Sequence, residues 1–136
     1  IYEKTEQLTN LEADEILSLD IPAHRADVNE LLLKTSDLVR SRVKNRKQQR
    51  GKNLFGAKLK GANLKGADLR GALLIAADLK GADMRVCDFI GADLRDADLS
   101  GANLEGSFFL TQAQINSAKG NAETKLPSSL ERPKHW

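Results

Sequence analysis

The sequence predicts an all-β solenoid, a chain wound into a column and flanked by helical segments. Three observations carry that expectation. An apolar residue recurs every fifth position, twelve times without insertion, at Leu54, Leu59, Leu64, Leu69, Leu74, Leu79, Met84, Phe89, Leu94, Leu99, Leu104 and Phe109. Two positions before each centre, from Ala57 to Ser107, the residue is always small, with Lys52 as the exception at the entrance. The period itself fits neither regular element.

Five residues advance a helix by about 500°, which sprays the leucines around its axis. A straight strand alternates its side chains with period two, so an odd repeat sends successive leucines to opposite faces. Both conflicts vanish if the chain turns once per repeat and the column axis collects every central side chain. The residues around each centre suit such corners: Asp or Asn dominates just before it and Gly two residues after it. Departures are Lys58, Leu73 and Phe108 in the first of these positions and Ala76, Val86 and Asp96 in the second. The twelve central residues are the expected structural core.

Runs such as GANLK, GADLR and GADMR resemble the bacterial pentapeptide-repeat proteins, whose repeats read A(D/N)LXX. The resemblance covers 60 of 136 residues directly. It implies a right-handed quadrilateral β-helix with four repeats per coil, and therefore about three coils. It also implies that the Asp column supports turns through hydrogen bonds to nearby backbone. Two further segments, Asp20 to Arg40 and Phe109 to Trp136, resemble the C-terminal portion of longer members whose upstream part is cysteine-rich. The chain starts at Ile1 with neither an initiator Met nor a signal-peptide pattern, so its true start is expected upstream.

Central side chains alone do not offset the entropy of ordering the repeats, so end caps are expected on both sides. Residues 1–50 form the N-terminal helical segment, 51–111 the β-helix, and 112–136 a C-terminal cap helix and tail. In the first segment Thr9 and Glu12 fit a capping box ahead of Leu11, Ile16 and Leu17. Beyond Pro22, the spacing of Val28, Leu31, Leu32, Leu38, Val39 and Val43 predicts one apolar stripe on a helix over 23–46. At the other end Thr111 is positioned to cap a helix from Gln112 to about Lys119, ended by Gly120, with the proline-containing tail packing irregularly over the last coil.

Outward positions of a column are ordinarily polar, which singles out two adjacent apolar faces. One carries Phe55, Leu73 and Ile75; the next carries Ile90, Phe108 and Leu110. Such a strip marks a packing or binding surface. The 23–46 helix is one candidate to cover it. A protein partner or a second copy is the other, through Phe55, Leu73, Ile75, Ile90 and Leu110. A basic run, Arg40, Arg42, Lys44, Arg46, Lys47, Arg50 and Lys52, has no acidic residue within it, and its first six members are the candidates for phosphate contact. Residues 1–39 counter it with nine acidic against three basic side chains. A solvated helix C-terminus, or a linker paired with that acidic part, is the favoured reading of the run.

No catalytic, cofactor or metal constellation emerges. The single Cys87 occupies a small inward position and reads as a buried core thiol, while His24 and His135 lack second ligands at metal spacing. With 40% hydrophobic and 4% aromatic residues and no apolar run of membrane-spanning length, the chain reads as soluble and cytoplasmic. The expected function is non-catalytic: an interaction scaffold for a protein partner or itself, without cofactor, membrane or small-molecule substrate. The alternative is a DNA-associated or topoisomerase modulator acting through charged faces or the segment 40–52. Residues 52–111 carry eight basic and eight acidic side chains, a poor imitation of duplex DNA.

Overall fold

The computed structural model describes residues 21–136, and the chain divides into two compact units, Ile1–Leu38 and Val39–Trp136. The expected Thr9–Glu12 capping box and its short helix lie outside the described residues.

Helix α1 spans Ile21–Arg40, six residues short of the expected end at 46. The periodic spacing continues to Val43, but the helix does not. The Val43 amide donates to the Arg40 carbonyl at 3.0 Å and closes a turn. The Val43 side chain then packs on the backbone of Gly66. The apolar stripe is also not the buried face its spacing predicts, since Leu38 is 74% exposed and Leu31 and Val39 are exposed as well.

From Gln48 onward the backbone pairs with itself in parallel at an interval of twenty residues. Gln48 bridges Asp68, Asn53 bridges Leu73, Lys58 bridges Asp78 and Asn63 bridges Asp83, and each of these partners bridges the residue twenty further on. Twenty residues are four repeats, so each coil has four sides. The pairing consists of isolated bridges, and among the described residues no continuous strand forms. The reason lies within the repeat, where each paired residue is followed at once by a turn. The Ala57 amide donates to the Leu54 carbonyl at 3.0 Å, while Gly56 takes a φ of 63° at the third turn position. Together with a negative φ at Phe55, that is the geometry of a type II turn.

The left-handed position recurs at every fifth residue from Gly51 to Gly106. Ala76, Val86 and Asp96 adopt it too, with φ of 57°, 56° and 57°, so the departures from Gly leave the coil geometry unchanged. The Asp and Asn residues before the centres act as expected. Their side-chain oxygens accept from the amide two residues on at nine positions, from Asn53 with Phe55 to Asn103 with Glu105.

The core is a stack of the central residues from Leu64 to Leu104 and of the small residues between them, all buried. Leu54, Leu59 and Phe109, at the two ends of the series, are only half-buried. Phe109 has a φ of 54°, which carries the chain out of the repeat.

At the C-terminal end the structure departs from the expected irregular tail. Helix α2 is short, Gln112–Asn116, and Thr111 caps it with a full capping box to Gln114. Ser117, not Gly120, ends it, because the chain must return to the stack. Lys119 bridges Asp98 and Lys125 bridges Asn103, so two sides gain a rung after the repeats have stopped. Three of the four sides therefore carry four rungs, and the column exceeds the three coils expected from the repeat count. Ile115 and Ala118 close this end, and the Trp136 indole donates to the Ala118 carbonyl at 3.0 Å while its ring covers Gly120.

One glycine is required twice over. Gly56 and Gly66 share the left-handed conformation, but a Cβ at Gly56 meets open space whereas one at Gly66 lies 2.6 Å from the Val43 Cβ. Gly56→Ala is expected to cost about 1–2 kcal/mol from backbone strain. Gly66→Ala should cost about 1–3 kcal/mol more, because Val43 must be displaced. Urea midpoints of the two variants check this, and equal midpoints would place Val43 elsewhere.

Candidate interaction surface

The side of the column built from the Asn53, Leu73 and Asp93 rungs follows the one built from Gln48, Asp68, Asp88 and Phe108.

 
With Asp93 as its third rung, the former side is where the exposed apolar residues lie. Phe55 is 66% exposed and Leu73 is 40% exposed, one coil apart on this side, with Ile75 half-buried beside them. Leu73 stands where the repeat ordinarily has Asp or Asn, which removes a turn-supporting oxygen and puts an isobutyl group on the surface in its place.

The neighbouring side carries the other apolar residues singled out in the sequence. Ile90 and Leu110 are half-buried, and Leu110 packs against the core. Phe108 stacks edge-on with Phe109 at 5.2 Å between ring centroids. Of the five residues predicted for partner contact, Phe55 and Leu73 are exposed, and Ile75, Ile90 and Leu110 are half-buried.

The basic run is also redistributed. Arg40 is 1% exposed, its guanidinium donates to the Gly66 carbonyl at 3.3 Å, and it lies 3.9 Å from the Asp68 carboxylate. It is therefore a buried structural cation and not a phosphate contact. Arg50 is half-exposed and donates from Nε to the same carboxylate at 2.9 Å. Arg46 is half-buried, and Arg42, Lys44 and Lys47 are exposed.

Asp68 was expected to support a turn, and it does, accepting from the Arg70 amide. Its second role, holding Arg40 and Arg50 while fully buried, went unread in the sequence. A signal for it exists at an interval of eighteen residues. A basic residue just after one centre stands diagonally above the acidic residue just before the centre of the next coil. Arg50 with Asp68, Arg70 with Asp88 at 3.5 Å and Lys80 with Asp98 at 3.9 Å all follow that rule. On the exposed sides the pairs are local instead. The Arg85 guanidinium holds the Asp83 carboxyl below the usual carboxylate range, and Arg95 does the same for Asp93.

Residues 53–89 and 87–109 match the family model for pentapeptide repeats, with eight copies. Residues 53–109 belong to the pentapeptide-repeat family. The chain is 66% identical over 139 residues to the uncharacterized protein YybG of Bacillus subtilis (strain 168), a match that covers 99% of this chain and 50% of that protein. The chain thus spans half the length of this relative. Among solved structures it is similar to the pentapeptide-repeat protein Rfr23 of the cyanobacterium Cyanothece 51142, with 30% identity and a TM-score of 0.54 over 58% of this chain and 53% of that one. It is also similar to the pentapeptide-repeat protein alr5209 of Nostoc PCC 7120, with 29% identity and a TM-score of 0.52 over 72% of this chain and 87% of that one. The fold of these neighbours implies a right-handed coil for the four-sided column.

Within the pentapeptide-repeat column, Cys87 takes the small inward position that Ala fills elsewhere. It is fully buried, its thiol donates to the Leu64 carbonyl, and burial pushes its pKa up to about 12. Such a group is neither a thiolate nucleophile nor an open metal ligand at neutral pH. Ser107, one coil below, fills the equivalent position and also turns its hydroxyl to backbone, accepting from the Cys87 amide at 3.1 Å. His135 lies 3.2 Å from the Ala118 carbonyl, in the C-terminal cap. Among the described residues no helix is long and apolar enough to cross a membrane.

Proposed function

We propose that this pentapeptide-repeat protein is a non-catalytic scaffold that binds a protein partner through the patch formed by Phe55, Leu73 and Ile75. The observation that carries the reading is the exposure of a large aromatic and an aliphatic side chain on adjacent coils of a rigid column. Their backbone is held by the Asn53–Leu73 bridge and by the turns that follow it, so partner binding there requires little ordering of the surface. Aromatic side chains of this kind supply anchor contacts in protein interfaces. A DNA-associated or topoisomerase-modulating role draws no comparable support, because the repeat segment 52–111 is neutral.

The double variant Phe55→Asp, Leu73→Asp tests the proposal. Both side chains are exposed, and Asp at position 73 supplies the turn-supporting oxygen found at nine other positions, so stability should change by no more than about 0.5 kcal/mol. Tagged wild-type and variant proteins are used to capture partners from nuclease-treated lysate at low and moderate salt. Proteins retained by the wild type at both salt concentrations and lost with the variant are expected. Equal capture by the two would sink the proposal.

A further inference from the structure

The side of the column that carries Phe55 presents a grid of two files and three rungs. Bridges stack Asn53, Leu73 and Asp93 in the first file. The Gly56 amide donates to the Ile75 carbonyl and the Ala76 amide to the Arg95 carbonyl, which stacks Phe55, Ile75 and Arg95 in the second. The rungs therefore read amide and aromatic, then two aliphatic side chains, then an ion pair. Phe55, Leu73 and Arg95 are exposed, and Ile75 is half-buried. The Arg95 guanidinium is already held in place by the Asp93 carboxylate, to which it donates from Nε at 3.0 Å and from Nη2 at 2.7 Å.

The grid complements itself in one orientation. A two-fold axis along the middle rung turns a second copy over, so that each position meets the same file on the opposite rung. Leu73 then meets the second copy's Leu73 and Ile75 its Ile75, Asn53 meets Asp93, and Phe55 meets Arg95. Each contact suits its chemistry: aliphatic groups meet aliphatic groups, an amide donates to a carboxylate, and a guanidinium lies against an aromatic ring. Leu73 stands on the rung that the axis follows, where the repeat ordinarily has Asp or Asn. Charge selects this orientation. Lys58 follows the first rung, and Asp96 and Asp98 follow the third on the same side of the grid, so turning the copy over brings lysine to carboxylate. A parallel copy would set Lys58 against Lys52, and like charges across an interface are costly. It would also offer Arg95 a second Asp93 when it already holds its own.

We infer that this side pairs antiparallel with a second copy of the chain about that axis. The inference rests on the scaffold reading for its surface and names the partner as the chain itself. An unrelated protein draws less support, because the grid supplies both halves of every contact. The contact is also small. Three rungs at a spacing of about 4.8 Å fall short of the roughly 800 Å² per partner of a standard interface, so the pairing is weak and reversible and fills only as concentration rises.

Sedimentation equilibrium of the full chain, from micromolar to near-millimolar concentration, tests the pairing. The mass is expected to rise from one chain toward two. Leu73→Asp sets two carboxylates against each other on the axis and should weaken association on the order of tenfold, while circular dichroism shows the column intact. Cross-linking tests the orientation. An equal mixture of Phe55→Cys and Arg95→Cys chains should form disulfide-linked dimers under mild oxidation and Phe55→Cys alone should not, with the native Cys87 buried and out of reach. A mass that stays at one chain, association indifferent to Leu73→Asp, or cross-linking of Phe55→Cys alone but not of the mixture would each overturn the inference. A monomer that still captures another protein through Phe55 leaves the scaffold reading standing while this inference falls. A monomer without Phe55-dependent capture removes both.

Discussion

Asp68→Ala is expected to lose about 3–5 kcal/mol of stability, the cost of breaking a buried ion pair from one side. The carboxylate is fully buried, with the 1% exposed Arg40 guanidinium 3.9 Å from its Oδ2 and with Arg50 donating to that same oxygen. Removing it takes a counter-charge from a cation that is itself buried. It also deletes the acceptor for the Arg70 amide, whose loss contributes a further part of the effect. Asp93→Ala is the matched control. That residue makes the same turn bond, to the Arg95 amide, but its ion pair with Arg95 lies at the surface and is worth at most about 1 kcal/mol. Urea denaturation followed by far-ultraviolet circular dichroism compares the two. If Asp68→Ala is no more damaging than Asp93→Ala, the buried pairing is not a structural anchor. Asp68→Asn should fall between them, since it keeps the turn acceptor and loses the charge.

Leu79→Ala should cost about 2–5 kcal/mol, through lost burial and the cavity left in the stack. Leu79 is fully buried, with Leu59 as its equivalent in the coil above and Leu99 in the coil below. The column is held rigid by backbone bridges on every side, so the neighbouring coils have little freedom to close over the gap. Leu59→Ala removes the same atoms at the half-exposed end and should cost clearly less. The same denaturation series gives both values. Equal losses at the two positions would mean that the first coil is as enclosed as the second.

The repeat was legible because its interactions are themselves periodic. The centres recur along the stack at an interval of twenty residues, the turns of the repeats are closed within four residues except at Met84, where the Ser107 hydroxyl bridges the Met84 carbonyl and the Cys87 amide, and each Asp or Asn oxygen before a centre reaches an amide two residues on. A five-residue period in the sequence is therefore enough to place the corners, the inward small residues and the turn-supporting carboxylates. The capping box of Thr111 with Gln114 was equally readable, because it too is local. The diagonal pairing of Arg50 with Asp68 sits between these cases. Its interval of eighteen residues is present in the sequence, but it acquires meaning once the coil length is known.

By itself, then, the sequence determined a coil of five-residue repeats around a core of leucines and alanines, because those contacts recur at fixed separations and each repeat restates them; the bridges at twenty residues decided that four repeats make one coil. Tertiary structure decided what occurs once. Lys119 and Lys125 join the stack at separations of twenty-one and twenty-two residues, after an excursion through α2, and nothing in their surroundings repeats to announce it. Arg40 reads as one cation among seven in a basic run, yet the position of Gly66 and Asp68 against it removes it from the surface. Leu38 reads as part of a helical apolar stripe and is exposed, because periodicity states which residues share a face and not whether anything covers that face. Single, long-range contacts depend on where the chain has already been placed, and a sequence period carries no record of them.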